Sequence, residues 1–286
     1  MSAAPLHADN AAQAEYWNAN AGQKWTAHQE HQDQVLSPVS DRLIAAARPK
    51  PGDYVIDVGC GCGATTIDFA ARVTPAGEVL GLDISEPMLA RARERAEGLP
   101  IRFERADATV YAFRSEAADL VASRFGVMFF ADPARSFANL RSGLKVGGRL
   151  AFACWREAKR NPFFILALRE AGKHAPPLPE TDPEAPGPFA FAGEARVRRI
   201  LSQAGFADIA LEPHDLELDI AVGRGLDAAV RAAMTIGPTS RMLEGQSEAV
   251  RAAAEADIRK ALAAHARGDS VPLGAAIWIV TATNPG

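Results

Sequence analysis

Residues 54–70 read Tyr54-Val-Ile-Asp-Val-Gly-Cys-Gly-Cys-Gly-Ala-Thr-Thr-Ile-Asp-Phe-Ala70. The run before the first glycine is apolar and β-branched apart from one Asp, which is typical of a strand buried on both faces of a parallel sheet. Gly59, Gly61 and Gly63 follow, and from Ala64 onward apolar residues recur at helical spacing. Glycine lacks the Cβ that keeps a ligand at a distance, and the N-terminus of a helix attracts anionic groups. The segment predicts a strand, a glycine turn and a helix start that bind a ligand through the backbone.

The glycine turn is compatible with two families of enzymes. Gly59-x-Gly61-x-x-Ala64 matches the dinucleotide fingerprint, in which an acid about 20 residues further on binds a ribose, and Asp83 stands at that place. Asp57-x-Gly59-x-Gly61-x-Gly63 resembles motif I of the class I S-adenosylmethionine (SAM) dependent methyltransferases. A third interpretation is that the glycines serve only the strand-to-helix geometry. The rest of the sequence distinguishes between these interpretations.

Strands and helices alternate after the glycine turn. Further strands are predicted at 78–82, 101–105, 119–123 and 149–155, with helices at 85–97 and 132–144. Such alternation implies a parallel sheet with helices on both faces, and right-handed crossovers place the carboxyl ends of its strands at one edge. The side chains that follow those ends are Asp57, Asp83, Asp107 and Ser123. We therefore expect them to converge along the ligand edge.

The sequence resembles the class I SAM methyltransferases motif by motif across residues 49–155. Motif I is followed by Leu80-Gly-Leu-Asp83-Ile84-Ser85 at the ribose motif and Arg105-Ala-Asp107-Ala108 at the adenine motif. Leu144-Lys-Val-Gly147-Gly148-Arg-Leu-Ala-Phe152 stands at the final glycine turn and strand. A dinucleotide enzyme needs neither the acid that ends the first strand nor the Asp-Ala that ends the third. The order and spacing of the four motifs favour the methyltransferase.

The resemblance implies roles for individual residues. The backbone of Gly59, Gly61 and Gly63 would pack against the methionine part of SAM, and Asp57 would help to hold its amino group. At the ribose, Asp83 would accept hydrogen bonds from both hydroxyls. At the adenine, Ile84 would cover the ring, Asp107 would accept from the amino group, and the Ala108 N–H would donate to a ring nitrogen. The backbone near Ser123 would hold the methionine ammonium. Buried donors of this kind need acceptors.

The fold that the resemblance implies is a Rossmann-like α/β fold with a doubly wound, mostly parallel seven-stranded sheet. Antiparallel strands at 209–218 and 275–281 would complete it, after a helix at 194–204. We predict an N-terminal helical lid at 1–48 and a SAM-binding core at 49–286, with insertions at about 156–192 and 219–272. The first insertion is proline-rich and has the composition of a loop or linker. The second carries Ala-rich amphipathic helices at 224–235 and 247–267, which either cap the pocket or form a homodimer.

The segment before the first strand has two interpretations. Residues 11–36 are polar but carry Trp17 and Trp25 with Gly22 between them. They form either a lid, in which Trp25 covers the SAM sulfonium through a cation–π contact, or a helix whose aromatic residues only pack on the core. Ser37-Pro38 is a typical helix opening, so a helix is predicted over 39–47.

The reaction is more sharply predicted than the substrate. Residues 11–30 and 119–133 resemble ubiquinone and menaquinone C-methyltransferases and related small-molecule methyltransferases, but no motif identifies the acceptor. Methyl transfer from a sulfonium is an in-line displacement for which the protein supplies alignment and exclusion of water. A base is needed only for weak nucleophiles, and His28, His31, His174 and His214 are the histidines considered for it. No catalytic residue is assigned.

Composition excludes several classes of protein. The net charge of −4 and the pI of about 5.9 argue against a nucleic-acid substrate. No apolar run is long enough for a membrane span, and residues 1–10 lack the layout of a signal peptide. Three cysteines do not make a disulfide framework, and Cys60-x-Cys62 is too closely spaced for a zinc pair, so no metal is predicted. A cytoplasmic enzyme is predicted. The alternatives are an NAD-dependent oxidoreductase and a catalytically inactive SAM-binding scaffold.

Overall fold

A seven-stranded sheet lies at the centre of the computed structural model, which describes residues 6–180 and 182–286. The strands are β1 (Tyr54–Val58), β2 (Glu78–Asp83), β3 (Ile101–Arg105), β4 (Ala118–Arg124), β5 (Leu144–Trp155), β6 (Ala207–Asp219) and β7 (Pro272–Thr283). Their order across the sheet is β3-β2-β1-β4-β5-β7-β6. The neighbours from β3 to β5 are parallel, and β7 is antiparallel to both β5 and β6. The predicted fold class is confirmed.

Helices cover both faces of the sheet. They are α1 (Ala11–Asn18), α2 (Asn20–Ala27), α3 (Gln29–Ala47), α4 (Ala64–Val73), α5 (Glu86–Arg95), α6 (Pro133–Gly143), α7 (Pro162–Ala171), α8 (Glu194–Gln203), α9 (Gly225–Thr235), α10 (Pro238–Met242) and α11 (Glu248–Ala263). Short 3-10 helices occupy Ala8–Asn10, Gly126–Phe129 and Ala158–Arg160. None of the helices in this described part of the chain is long and apolar enough to cross a membrane.

The central strands are buried because they have helices on both sides. Val55, Ile56 and Leu120 are almost fully excluded from solvent, as are Phe137 and Phe152 between the sheet and the helices on one face. A strand that is buried on both faces has no reason to alternate apolar with polar residues, which explains why these strands are continuous apolar runs in the sequence. The largest cluster of buried apolar side chains includes residues of this sheet and of the helices on both sides, so it holds the carboxyl ends of the strands in place.

The helix predicted at 39–47 exists, but its predicted start is wrong. The structure has one helix, α3, which begins ten residues earlier at Gln29 and contains Pro38. Pro38 has no N–H for the carbonyl of Gln34, and the Ser37 hydroxyl donates to that carbonyl instead, at 3.0 Å. Ser37 therefore compensates for the proline and does not cap a helix. Because α3 packs on the sheet through residues such as Val39 and Leu43, the lid prediction concerns only α1 and α2.

The two predicted insertions form one helical layer. The first is not simply a loop or linker, because residues 162–171 form α7, whose proline occupies the first turn. This helix packs against α10 and α11, and these contact α9. A second apolar cluster, which includes Ala171, Leu243 and Ile258, holds the four helices together. The layer follows the strand ends of β5 and β6, so it stands beside the ligand edge.

Candidate functional site

The glycine turn between β1 and α4 depends on backbone conformations that favour glycine. Gly59, Gly61 and Gly63 have φ values of 66°, 55° and 82°, in the left-handed region. A Cβ on Gly59 would also lie 2.6 Å from the Cα of Gly126, in the 3-10 helix that follows β4. The turn and the end of β4 are therefore in direct backbone contact. A Cβ on Gly61 would lie 2.8 Å from the Met88 side chain and one on Gly63 would lie 3.1 Å from the Phe103 ring, so the glycines also let α5 and β3 pack closely against the turn.

Asp57 is fully buried and only half paired. Its Oδ2 accepts hydrogen bonds from the Thr65 and Thr66 hydroxyls, each at 2.7 Å, whereas its Oδ1 has no partner among the described residues. Burial raises its pKa to about 6, opposed by the two threonine hydroxyls and by the charge of Arg124. A buried acceptor without a donor is costly, which indicates a donor supplied from outside the chain.

Arg124, which sequence reasoning missed, supplies a positive charge beside this carboxylate. Its side chain is only 10% exposed, its Nη1 donates to the Ser40 hydroxyl at 2.8 Å, and its Nη2 lies 3.7 Å from Asp33. Burial lowers the pKa of Arg124, opposed by the charges of Asp33 and Asp57. No local sequence motif could predict the contact between Arg124 and Ser40 of α3, because the two residues are far apart in sequence.

Asp83 joins the glycine turn to the loop after β2. Its Oδ2 accepts from the Gly61 N–H and its Oδ1 from the Ser85 N–H, both at 2.8 Å. Burial raises the pKa of Asp83, opposed by these backbone hydrogen bonds. A carboxylate has about four acceptor positions, so two remain for a diol. The half-buried Ile84 follows it directly. Ser85 stands at the N-cap position of α5, but its hydroxyl donates to the Trp17 carbonyl at 2.7 Å and not to the helix.

Asp107 does not present a free carboxylate. Both oxygens are 2.9 Å from the Asn10 side-chain nitrogen, and the backbone N–H groups of His7 and Thr109 donate to Oδ2 and Oδ1 at 3.0 and 2.9 Å. Asp107 is 3% exposed. The neighbouring Ala108 is buried, and its carbonyl accepts from Asn139. The structure thus places the adenine motif under residues 7–10, a contact that sequence reasoning missed.

Ser123 ties β4 to β1. Its hydroxyl donates to the Val58 carbonyl at 2.7 Å and accepts from the N–H groups of Gly126 and Val127 at 3.1 and 3.3 Å. It is fully buried. The side chain therefore fixes the backbone at the strand end, which leaves only backbone atoms near Ser123 for a ligand.

The N-terminal helices α1 and α2 lie over this edge. The Trp17 ring is 6.4 Å from that of the half-buried Trp25 and 5.3 Å from that of Phe129. A Cβ on Gly22 would lie 2.0 Å from the Trp17 carbonyl, which explains the glycine between the two tryptophans. The Thr26 hydroxyl is 4.0 Å from the Cys62 sulfur in the glycine turn. Both aromatic residues are thereby held at the ligand edge.

A chain of aromatic rings, here called the aromatic wall, leads away from the glycine turn. It consists of Phe125, Trp155, Phe163 and Phe164. Phe125 stacks on Trp155 with ring centroids 4.3 Å apart, and Trp155 stacks on Phe163 at 5.9 Å. Phe164 meets Trp155 edge to face at 4.8 Å. The wall connects the ends of β4 and β5 to the start of α7.

Comparison with known proteins decides the family. Residues 55–148 match the family model described as "Methyltransferase domain". The chain is 31% identical to nocamycin O-methyltransferase of Saccharothrix syringae over 257 residues, which are 83% of this chain and 88% of the relative. The chain belongs to the class I SAM-dependent methyltransferases. The predicted cofactor, SAM, and the predicted transfer of a methyl group to a small-molecule acceptor are confirmed, and neither alternative function is supported.

Other relatives of the methyltransferase match over about half their own length. Demethylmenaquinone methyltransferase of Thermus thermophilus is 38% identical over 111 residues, which are 38% of this chain and 50% of the relative. Among solved structures, phosphoethanolamine N-methyltransferase 2 of Haemonchus contortus superposes with a TM-score of 0.58 at 16% identity, covering 96% of this chain and 60% of that one. The YcgJ protein of Bacillus subtilis gives 0.57 at 16%, covering 87% and 99%. At these identities the structural matches show the fold alone.

The structure places the four histidines considered as bases in a cleft, in the helical layer and on β6. His28 and His31 line a cleft of about 340 Å³ together with Arg91 and Arg224. The ring of His174 is 2.9 Å from Asp257 in the helical layer, and His214 is on β6. Within the described ranges 6–180 and 182–286, no group of three or more His, Cys, Asp or Glu side chains could hold a metal ion.

The unpaired oxygen of Asp57 predicts a pH dependence of cofactor affinity. Its pKa of about 6 means that the ionised form, which attracts an ammonium, is lost as the pH falls through 6. An amino-acid ammonium stays protonated in this range. We expect the Kd for SAM to fall severalfold as the pH is raised from about 5 to about 7. Calorimetry of wild type and Asp57→Asn measures this, and the variant should show a flat profile. An equally steep profile in Asp57→Asn would assign the titration to another group.

Proposed function

We propose that the methyltransferase methylates an oxygen atom on a small aromatic acceptor that lies against the aromatic wall. One observation carries this proposal. Phe125 has a φ of 70°, in the left-handed region where a bulky side chain is strained, and it directly follows Ser123 and Arg124 at the ligand edge. Such strain costs about 1–3 kcal/mol and concentrates at functional sites. A glycine would relieve the strain, so retaining an aromatic ring there indicates that the ring is needed.

The aromatic wall suits a planar apolar molecule. Aromatic rings favour offset-stacked or edge-to-face partners and bury large apolar areas. Phe125 and Phe163 are only partly buried, whereas Trp155 between them is 4% exposed. A ligand ring can therefore extend the stack at Phe125, the end nearest to the glycine turn. This position places an acceptor beside the methyl group of a cofactor bound on that turn.

Oxygen methylation is supported by the relative that covers most of both chains, which is named an O-methyltransferase. A second relative, aklanonic acid methyltransferase DauC of Streptomyces, is 33% identical over 122 residues, which are 42% of this chain and 56% of that one. An acidic enol or a carboxylic acid is ionised near neutral pH without help from a base, whereas an ordinary phenol, with a pKa of about 10, is not. An acidic enol or carboxylic acid as acceptor therefore needs no base from His28, His31, His174 or His214.

The cofactor is proposed to lie along the ligand edge as the family resemblance implies. The backbone of Gly59, Gly61 and Gly63 would carry the methionine part, whose ammonium would pair with the free Oδ1 of Asp57 and with backbone atoms near Ser123. The two remaining acceptor positions of Asp83 suit the ribose hydroxyls. Ile84, Asp107 and Ala108 would surround the adenine, and Trp25 would stand over the sulfonium. The unpaired Asp57 oxygen and the glycine conformations support this arrangement.

In this arrangement the chain positions the reactants. SAM, when bound, supplies a methyl group on a positively charged sulfur, which becomes a neutral thioether as the acceptor oxygen takes the methyl group. The aromatic wall and Trp25 would exclude water and keep the oxygen in line with the breaking sulfur–carbon bond. The acceptor proton leaves to solvent before transfer. Binding and alignment, rather than a side-chain base, therefore account for catalysis.

The test is an acceptor screen with matched compounds. Purified protein and SAM are incubated with aromatic enols, phenols and carboxylic acids and, in parallel, with saturated analogues that carry the same oxygen group. We expect S-adenosylhomocysteine and an O-methylated product, identified by mass spectrometry, from aromatic members. Faster methylation of saturated analogues or of amines would refute the proposed acceptor.

Phe125→Leu is predicted to weaken acceptor binding selectively. Losing one stacked ring should raise KM for the acceptor about tenfold, because an aromatic pair contributes roughly 0.5–1.5 kcal/mol beyond its buried area. The Kd for S-adenosylhomocysteine should stay unchanged. Phe113→Leu is the matched control, since that ring packs on Tyr111 and beside Gly143, outside the wall. Equal effects of the two substitutions on KM would show that Phe125 is only a packing residue.

Location, assembly and domain division are further proposals. A cytoplasmic enzyme is supported by Cys60, Cys62 and Cys154, which are buried and free, because reducing compartments preserve thiols. We propose a homodimer formed through the helical layer. The last helix of this layer, α11, exposes Arg251, Ala252 and Ala256. Light scattering of the purified protein measures its mass. The division into a lid and a core is supported by the position of α1 and α2 over the glycine turn.

A further inference from the structure

Residues 7–10 make a contact with the adenine motif that the proposed cofactor arrangement does not use. Asn10 is 5% exposed, and both polar atoms of its side chain are hydrogen-bonded. Its nitrogen donates to both Asp107 oxygens at 2.9 Å and to the Thr109 hydroxyl at 3.0 Å, and its oxygen accepts from the Ala131 N–H at 3.2 Å. Asn10 therefore joins the loop after β3 to the loop after β4.

This contact encloses the carboxylate of Asp107 and occupies both of its oxygens. The Asn10 nitrogen lies within 2.9 Å of both oxygens, the N–H groups of His7 and Thr109 donate to one oxygen each, and Asp107 is only 3% exposed. Residues 7–10 therefore occupy the space through which an adenine amino group would approach the carboxylate. The amino group can bond to Asp107 only after Asn10 or the His7 N–H has left. The assigned role of Asp107 and the observed contact are mutually exclusive.

We propose that residues 7–10 form an N-terminal latch that competes with the adenine amino group for Asp107. This inference rests on the proposed placement of the adenine at Asp107 and Ala108. Binding of SAM displaces the latch, so the apparent affinity for SAM is reduced by the fraction of molecules that are latched. The latch thus sets cofactor affinity from outside the motifs that bind the cofactor.

The latch is continuous with the lid. Asn10 stands directly before α1, and Asn18, the last residue of that helix, binds the ribose motif. Asn18 donates to the Ile84 carbonyl at 2.9 Å and accepts from the Glu86 N–H at 3.0 Å. Helix α1 is therefore fastened at both ends, to the adenine motif by Asn10 and to the ribose motif by Asn18. Only the first of these fastenings occupies an atom that the cofactor needs.

The test compares two asparagines in the full-length protein. Asn10→Ala removes the latch, and we expect the Kd for S-adenosylhomocysteine, measured by calorimetry, to fall about fivefold or more. Asn18→Ala is the matched control and should leave the Kd unchanged or raise it. Arg135→Ala, which removes the 2.9 Å contact between Arg135 and the His7 ring, loosens the latch without changing Asn10 and should lower the Kd to a smaller extent. An unchanged or raised Kd in Asn10→Ala would overturn the proposal.

Hydrogen exchange of the wild-type protein gives a readout that does not depend on any variant. Addition of S-adenosylhomocysteine should increase amide exchange at residues 7–11 while it protects the glycine turn. Increased protection at residues 7–11 would overturn the latch. The assignment of Asp107 is tested separately by Asp107→Ala in the Asn10→Ala background, where the latch is already absent. If the double variant binds S-adenosylhomocysteine as Asn10→Ala does, the adenine lies elsewhere and the proposed cofactor placement fails, whatever the result for Asn10.

Discussion

Removal of residues 1–28 is expected to lower turnover about 100-fold or more, because misplacing reacting groups by a small distance already costs about that factor. The truncation removes Trp17, Trp25 and Thr26, which cover the glycine turn, and leaves α3 intact from Gln29 onward. Loss of the cation–π contact and of the cover over the sulfonium should lower the affinity for SAM about tenfold, whereas loss of the latch in the same truncation should raise it about fivefold, so we expect a net fall of about twofold. The measurement is single-turnover methyl transfer to the acceptor found in the screen.

A point variant separates this effect from loss of structure. Trp25→Ala in the full-length chain keeps α3 and the contacts of Asn18, so it should reduce turnover while the unfolding transition stays cooperative. Tryptophan fluorescence of the wild type should change when SAM is added, and Trp25→Ala should diminish the change. Full turnover by the truncated protein would show that α1 and α2 only pack on the core, which is the alternative that the sequence left open.

Substitution of Asp83 by Ala should lower SAM affinity about tenfold to 100-fold. Hydrogen bonds to a charged acceptor contribute roughly 1.5–3 kcal/mol each, and the ribose would lose its acceptor. Asp83 also accepts from the N–H groups of Gly61 and Ser85, so the glycine turn itself loses support. The loss of these two backbone hydrogen bonds predicts some loss of stability as well.

Asp119→Ala provides the control for that loss of stability. Its carboxylate accepts from the Tyr54 N–H at 2.9 Å and pairs with Lys145 at the opposite end of the same sheet. Removing it should destabilise the protein to a similar extent and leave the Kd for SAM unchanged. Calorimetric binding and thermal unfolding of both variants distinguish the roles. If the two variants bind SAM equally well, Asp83 does not hold the ribose.

Much of the site could be predicted because the signals are local. The glycine turn requires Gly59, Gly61 and Gly63 for their positive φ, and each acid stands within two residues of a strand end. Chain direction and crossover handedness then bring these residues together without any knowledge of packing. The family, the cofactor and the sheet followed from this local information.

Errors arose where a distant partner changed a local preference. Ser37-Pro38 is a normal helix start, yet α3 continues through it because the Ser37 hydroxyl satisfies the carbonyl that proline leaves free. The proline-rich segment after β5 contains α7 because α10 and α11 cover its apolar face. Propensity is a weak preference that burial overrides.

The sequence by itself determined the order of the motifs along the chain, the glycine turn, the class of reaction and the cofactor. Each of these depends on residues that are close together along the chain. Only the tertiary structure revealed that Asn10 occupies Asp107, that Arg124 lies beside Asp57, and that Phe125, Trp155 and Phe163 stack into one wall. These pairs are separated by up to about a hundred residues, and no periodicity or motif links them. They form because the folded sheet brings the ends of its strands and the N-terminal helices to one edge, where most buried polar groups find a partner and the Oδ1 of Asp57 finds none in the part of the chain that the structure describes.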